Sequence, residues 1–80
     1  MAGNKNLAED SYERLANAII LQAVTDYRTA LKKIRKNPGN RDAIDEALRI
    51  ERFFRSGWYS QLTSVDGEYL IRRLRDEVKR

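Results

Sequence analysis

Arg49, Arg52 and Arg55 recur at three-residue spacing just ahead of Trp58 and Tyr59. Guanidinium planes beside aromatic rings can stack on a base, fork a phosphate, or anchor a contact with another macromolecule. On a helix, i, i+3 and i+6 share one broad face. A second basic group lies upstream. Between Arg28 and Arg41 there are six basic residues, Lys32, Arg35 and Lys36 among them, and no acid. That window carries +6 in a chain of net charge +4, so the remaining residues sum to −2. Such a patch can attract phosphate, or it can simply keep a small domain soluble. Both groups also have a plain structural reading. Phe54 and Trp58 would be core, the arginines solvated, and the basic residues placed to suit a helix C-terminus.

Other chemistry is harder to build. The chain has no cysteine and no histidine. Disulfides, thiolate chemistry, the commonest metal ligand and the usual near-neutral base are therefore all excluded. Only oxygen ligands remain for a metal. Asp42, Asp45 and Glu46 match no calcium loop and suit the first turn of a helix instead. Ser56, Ser60, Thr63 and Ser64 have no histidine to activate them. Gly3, Gly39, Gly57 and Gly67 are too scattered to form a phosphate-binding loop. The chain is expected not to be an enzyme, with no cofactor and no metal.

The elements that must position these residues are helical. From Tyr12 through Leu15, Ala16, Ile19, Ile20, Ala23, Val24, Tyr27, Ala30, Leu31 and Ile34, apolar residues recur in three- and four-residue steps. Counted from Leu7, this is a first helix of roughly eight turns. Glu9, Asp10 and Glu13 lie early in it and Lys32, Lys33, Arg35 and Lys36 late, the order a helix dipole favours. The stripe also resembles heptads, which allows pairing between chains. Asn37-Pro38-Gly39-Asn40 ends the helix, with glycine supplying backbone freedom for the reversal, and Asn40 is placed to cap the next.

A second helix is predicted over 41–55, with Ala43, Ala47, Ile50 and Phe54 as its stripe and Ile44 and Leu48 beside it. Gly57 is expected to end it as a left-handed cap. Trp58 to Leu62 then forms a short helical turn, its aromatic pair tucked against the first two helices. A last helix, capped by Thr63 or Ser64, sets Val65, Tyr69, Leu70, Ile71, Leu74 and Val78 inward. Gly67 in its first turn has no explanation in propensity; it suggests a close contact, with Trp58 or with a partner. Two helices joined near a glycine, the second rich in arginine, loosely suggest a helix-turn-helix. Yet the last helix starts with Asp66 and Glu68, where a recognition helix would meet DNA.

Eighty residues make one domain. The expected architecture is all-α, a small three-helix bundle with a long first helix and a short helical turn before the last. Residues 1–6 form a disordered start and 7–80 a single helical domain. No apolar run approaches a membrane span, and the start lacks the apolar core of a signal peptide, so a cytoplasmic protein is expected.

The segment from Ile50 to Arg75 resembles small helical proteins of prophages and conjugative elements of Gram-positive bacteria. The resemblance lies in the pair Phe53-Phe54, Trp58 after a short gap, Leu62-Thr63, the run Asp66 to Ile71, and Arg72-Arg73. Leu21 to Pro38 fits the same pattern. It implies an accessory role in a phage or mobile element, and it assigns no activity and no functional residue. The expected function is binding of a host macromolecule, a host protein first, as an inhibitor of a bacterial defence system. The surface would be Arg49, Arg52, Arg55, Trp58 and Tyr59, supported by Lys32, Arg35 and Lys36. The alternative is a binder of nucleic acid or a nucleotide signal, and a homo-oligomer is a third reading.

Overall fold

The computed structural model describes residues 3–79, with side chains from residue 11 onward. It contains α1 (Gly3–Lys36), α2 (Arg41–Phe54), α3 (Gly57–Leu62) and α4 (Gly67–Lys79), and no strand among the described residues. Of the start expected at 1–6, residues 1–2 lie outside the described residues and residues 3–6 are helical backbone. The side chains of Leu7, Glu9 and Asp10 also lie outside the description. No described helix is long and apolar enough to cross a membrane.

The 34 residues of α1 span about 51 Å at 1.5 Å per residue, against about 21 Å for the 14 residues of α2. The other helices therefore cover only part of α1. Ala16, Val24, Tyr27 and Ala30 are buried, whereas Tyr12 and Leu15, on the same stripe, are 57% and 60% exposed. Asn37 ends the helix. Its N–H donates to the Lys33 carbonyl at 2.9 Å, and its side-chain oxygen accepts from the Gly39 N–H at 3.1 Å. No described glycine has a positive φ, so the reversal is held by the Asn37 side chain and not by left-handed glycine backbone.

Asn40 caps α2 as expected, its Oδ1 accepting from the Ala43 N–H at 3.1 Å. Ala43, Ala47, Ile50 and Phe54 face inward, and a fifth residue, Glu51, is buried with them. α2 packs antiparallel to α1. Asn40, Asp42 and Glu46 flank Asp26, Thr29 and Lys33, while Ile50 and Phe53 flank Ile19 and Ala23.

The corner after α2 departs from the expectation. Gly57 is not a left-handed cap; α2 ends at Arg55 in ordinary right-handed backbone, and Gly57 opens α3. Ser56 does the work at the junction. Its hydroxyl donates to the Phe53 carbonyl at 2.7 Å and accepts from the Tyr59 N–H at 3.1 Å, closing one helix and starting the next. Of the aromatic pair only Tyr59 tucks in, at 2% exposed; Trp58 is 58% exposed. Thr63 and Ser64 do not cap α4. Thr63 is the C-cap of α3, and its hydroxyl accepts from the Val65 N–H at 3.2 Å. The cap of α4 is Asp66, whose Oδ2 accepts from the Tyr69 N–H at 3.2 Å. Helix thus begins later than expected, and Val65 and Tyr69 face solvent while Ile71 and Leu74 are buried.

Gly67 finds its reason here. A Cβ on it would stand 2.0 Å from the backbone oxygen of Phe54 and 3.5 Å from Cε2 of Tyr59. The close contact inferred from sequence is with the end of α2, not with Trp58 or a partner. From there α4 runs back to the end of α1, where Arg35 Nη1 donates to the Val78 carbonyl. The core lies between α1, α2 and α4, sealed by Tyr59. Phe54 meets Tyr27 and Tyr59 edge-on, at centroid distances of 5.8 and 5.6 Å.

Candidate functional site

A buried acid that the sequence does not single out joins three helices. Glu51 lies one residue beyond Ile50 on α2, so it points to the seam with α4 rather than to solvent, and it is 5% exposed. Its Oε2 accepts from the Tyr27 hydroxyl at 2.5 Å and from Arg75 Nη2 at 2.8 Å, while Oε1 accepts from Arg55 Nη1 at 3.4 Å. Arg75 Nε also donates to the Tyr27 hydroxyl at 3.2 Å. Arg55 continues outward to Glu68 on α4. Burial pushes the Glu51 carboxyl up, but the hydrogen bonds from Tyr27 and Arg75 and the charges of Arg75 and Arg55 outweigh it and hold the group below its ordinary value. Burial, then the bond to Glu51, pushes Tyr27 up to about 12. A carboxylate so occupied has little freedom to take a proton from a substrate. The network ties α1, α2 and α4 together, and the sequence shows no sign of it because its members lie 24 and 48 residues apart.

The arginine face divides. Three residues along a helix turn the side chain by about 60°, so Arg49 and Arg55 point about 120° apart. Arg49 pairs with Glu46 on the flank toward α1. Arg55 turns to α4 and is engaged by Glu68 and Glu51. Arg52, between them, is exposed and in no ion pair among the described residues. Tyr59 packs in the core and presents no ring to a ligand. Its buried hydroxyl has no hydrogen-bond partner, and its pKa is raised by burial and by the charge of Asp66.

Trp58 and Arg49 do come together. With Ile19, Ala23, Ile50 and Phe53 they line a shallow groove of about 280 Å³ between α1, α2 and α3. Phe53 holds the indole edge-on at a centroid distance of 5.4 Å. Tyr12 and Leu15 continue an apolar strip along α1, in helical steps of three residues from Tyr12 to Leu15 and four from Leu15 to Ile19. The sequence sets Tyr12 and Leu15 on the same stripe as the core residues of α1; the length of α1 against α2 is what exposes them.

At the opposite end, Lys32, Arg35 and Lys36 line a cleft of about 660 Å³ with Thr29, Glu77 and Val78. Arg35 is engaged by the end of α4, whereas Lys32 and Lys36 are exposed and in no ion pair among the described residues. Of the predicted site residues, Arg49 and Trp58 share one surface and Lys32, Arg35 and Lys36 another, while Tyr59 lies in the core and Arg55 turns to α4. Among the described residues no three acidic side chains gather as a metal site would need. No known protein family, curated protein or solved structure matches the chain.

Proposed function

We propose that the chain is a non-enzymatic binding protein, an accessory of a phage or mobile element, that docks a host protein through the surface centred on Trp58. The observation that carries this reading is the state of that side chain. The only tryptophan in the chain is 58% exposed, yet its orientation is fixed by Phe53. Tryptophan and arginine are the residues most enriched at energetic centres of protein interfaces. A pre-oriented ring also loses less conformational freedom on binding. Arg49 lines the same groove and Arg52 adjoins it on α2, while Tyr12 and Leu15 extend the apolar surface along α1. The frame is a three-helix bundle of α1, α2 and α4, with α3 as the link that carries the indole.

The role proposed for such a module is inhibition of a bacterial defence system, in the cytoplasm of a bacterial host. Affinity capture from a bacterial host lysate tests the reading, with wild type beside a Trp58→Ala, Arg52→Glu double variant of unchanged circular dichroism. A discrete protein retained by wild type and lost by the variant is expected. Nothing retained, or equal retention by both, contradicts it.

A further inference from the structure

The cationic end of the bundle is distinct from the Trp58 surface. Of the six basic residues between Arg28 and Arg41, two are committed to α4. Arg28 makes a two-pronged pair with Glu77 at 2.8 and 2.9 Å, and Arg35 caps the carbonyl of Val78. Lys32 and Lys36 lie one helical turn apart on the exposed side of α1 and are in no ion pair among the described residues. α4 brings one more exposed cation, Arg73, beside them. Arg73 and Lys32 both stand close enough to Glu77 for their charges, after the bond from Arg28, to help hold that carboxyl below its ordinary value. Lys79, six residues from Arg73 and so about 120° away around α4, lies on the other flank with Ile34 and Arg75. Among the described residues Glu77, already engaged, is the only acid lining the cleft between the two helices.

The helix dipole accounts for part of this. It acts over the last turn, which contains Lys33, Arg35 and Lys36 in α1 and Lys79 in α4. Lys32 and Arg73 lie outside those turns, and their positive charges converge on one already neutralised carboxylate. Two helices ending side by side therefore present a stripe of cations whose charge the fold itself does not consume. Compact ammonium groups on flexible stems suit a repeated anion more than a single shaped ligand.

We propose that Lys32, Lys36 and Arg73 bind the phosphodiester backbone of nucleic acid without reading its sequence. Fluorescence anisotropy with the full chain and labelled duplex DNA or single-stranded RNA of mixed sequence tests this and shows which source the chain takes. Three phosphates neutralised on duplex DNA give a log–log salt slope of about −2.7, hence about a 40-fold loss of affinity between ~50 and ~200 mM salt. A Lys32→Gln, Lys36→Gln variant, both positions being exposed, should bind at least tenfold more weakly, with a slope shallower by about 1.8. Arg73→Gln should weaken binding in the same direction from the other helix. Trp58→Ala should bind nucleic acid like wild type, which separates this proposal from the protein-docking reading. Absence of binding to either nucleic acid at low salt, or variants that bind with the wild-type affinity and slope, would overturn it. So would binding to vesicles of anionic lipid with none to nucleic acid.

Discussion

The hydroxyl of Tyr27 donates to the Glu51 carboxylate at 2.5 Å inside the core, and that bond joins α1 to α2 at the point where Arg75 arrives from α4. Both partners are almost fully buried, at 0% and 5% exposed. Removing one partner leaves the other desolvated without compensation, which costs more than the bond itself contributes.

Tyr27→Phe should therefore lower stability by about 1–3 kcal/mol, the cost of leaving a buried polar group short of a partner. Tyr59→Phe should not. The Tyr59 hydroxyl is buried without a partner, so its removal should leave stability unchanged or raise it by up to about 1 kcal/mol. Urea unfolding of the two variants against wild type checks the pair, and an equal loss in both would refute the assignment.

The same network sets a pH dependence. Glu51 has a folded pKa below its unfolded value. Its contribution is present above the unfolded value, about 4.3, and is lost as pH falls through the lower folded one. Tyr27, raised to about 12, acts in the other direction: its contribution is present below about 10 and is lost as pH rises toward the folded value. Glu51→Gln should be less stable than wild type at pH 7 and should lose less further stability on acidification. Denaturant midpoints measured from pH 7 down to pH 3 check this. The exposed pairs Arg28–Glu77 and Arg55–Glu68 contribute little to the curve, because water screens them.

Gly67 and Gly57 should respond oppositely to alanine. At Gly67 the new carbon meets the Phe54 carbonyl, which is backbone and cannot swing aside. α4 must shift, at a cost of about 1–3 kcal/mol. At Gly57 nothing lies within 4 Å, and the backbone is helical with no positive φ. Alanine there should be neutral or stabilising by about 0.4–1 kcal/mol, through the unfolded chain. Thermal melts of the two variants give the comparison.

What could be read in advance was what is local. The stripe Ala43, Ala47, Ile50 and Phe54 follows from helical period, and the Asn40 cap from a side chain reaching three residues along. The divergence of Arg49 from Arg55 was also open to reading, since i and i+6 differ by about 120°. What could not be read depends on tertiary approach. Gly67 looked out of place until the end of α2 lay against it. In the sequence Glu51 is one acid among arginines, and only the approach of Tyr27 from α1 makes it a buried partner. Trp58 and Tyr59 are neighbours of similar character, and only the start of α3 at Ser56 decides which ring turns inward.

The central claim is that the single indole stands at the surface of a folded helical domain. Steady-state quenching of Trp58 fluorescence by acrylamide tests it on the native chain alone. Emission like that of indole in water, quenched nearly as efficiently as in denaturant while circular dichroism remains helical, is the predicted result. A blue-shifted emission shielded from acrylamide would place the ring in the core and contradict the account.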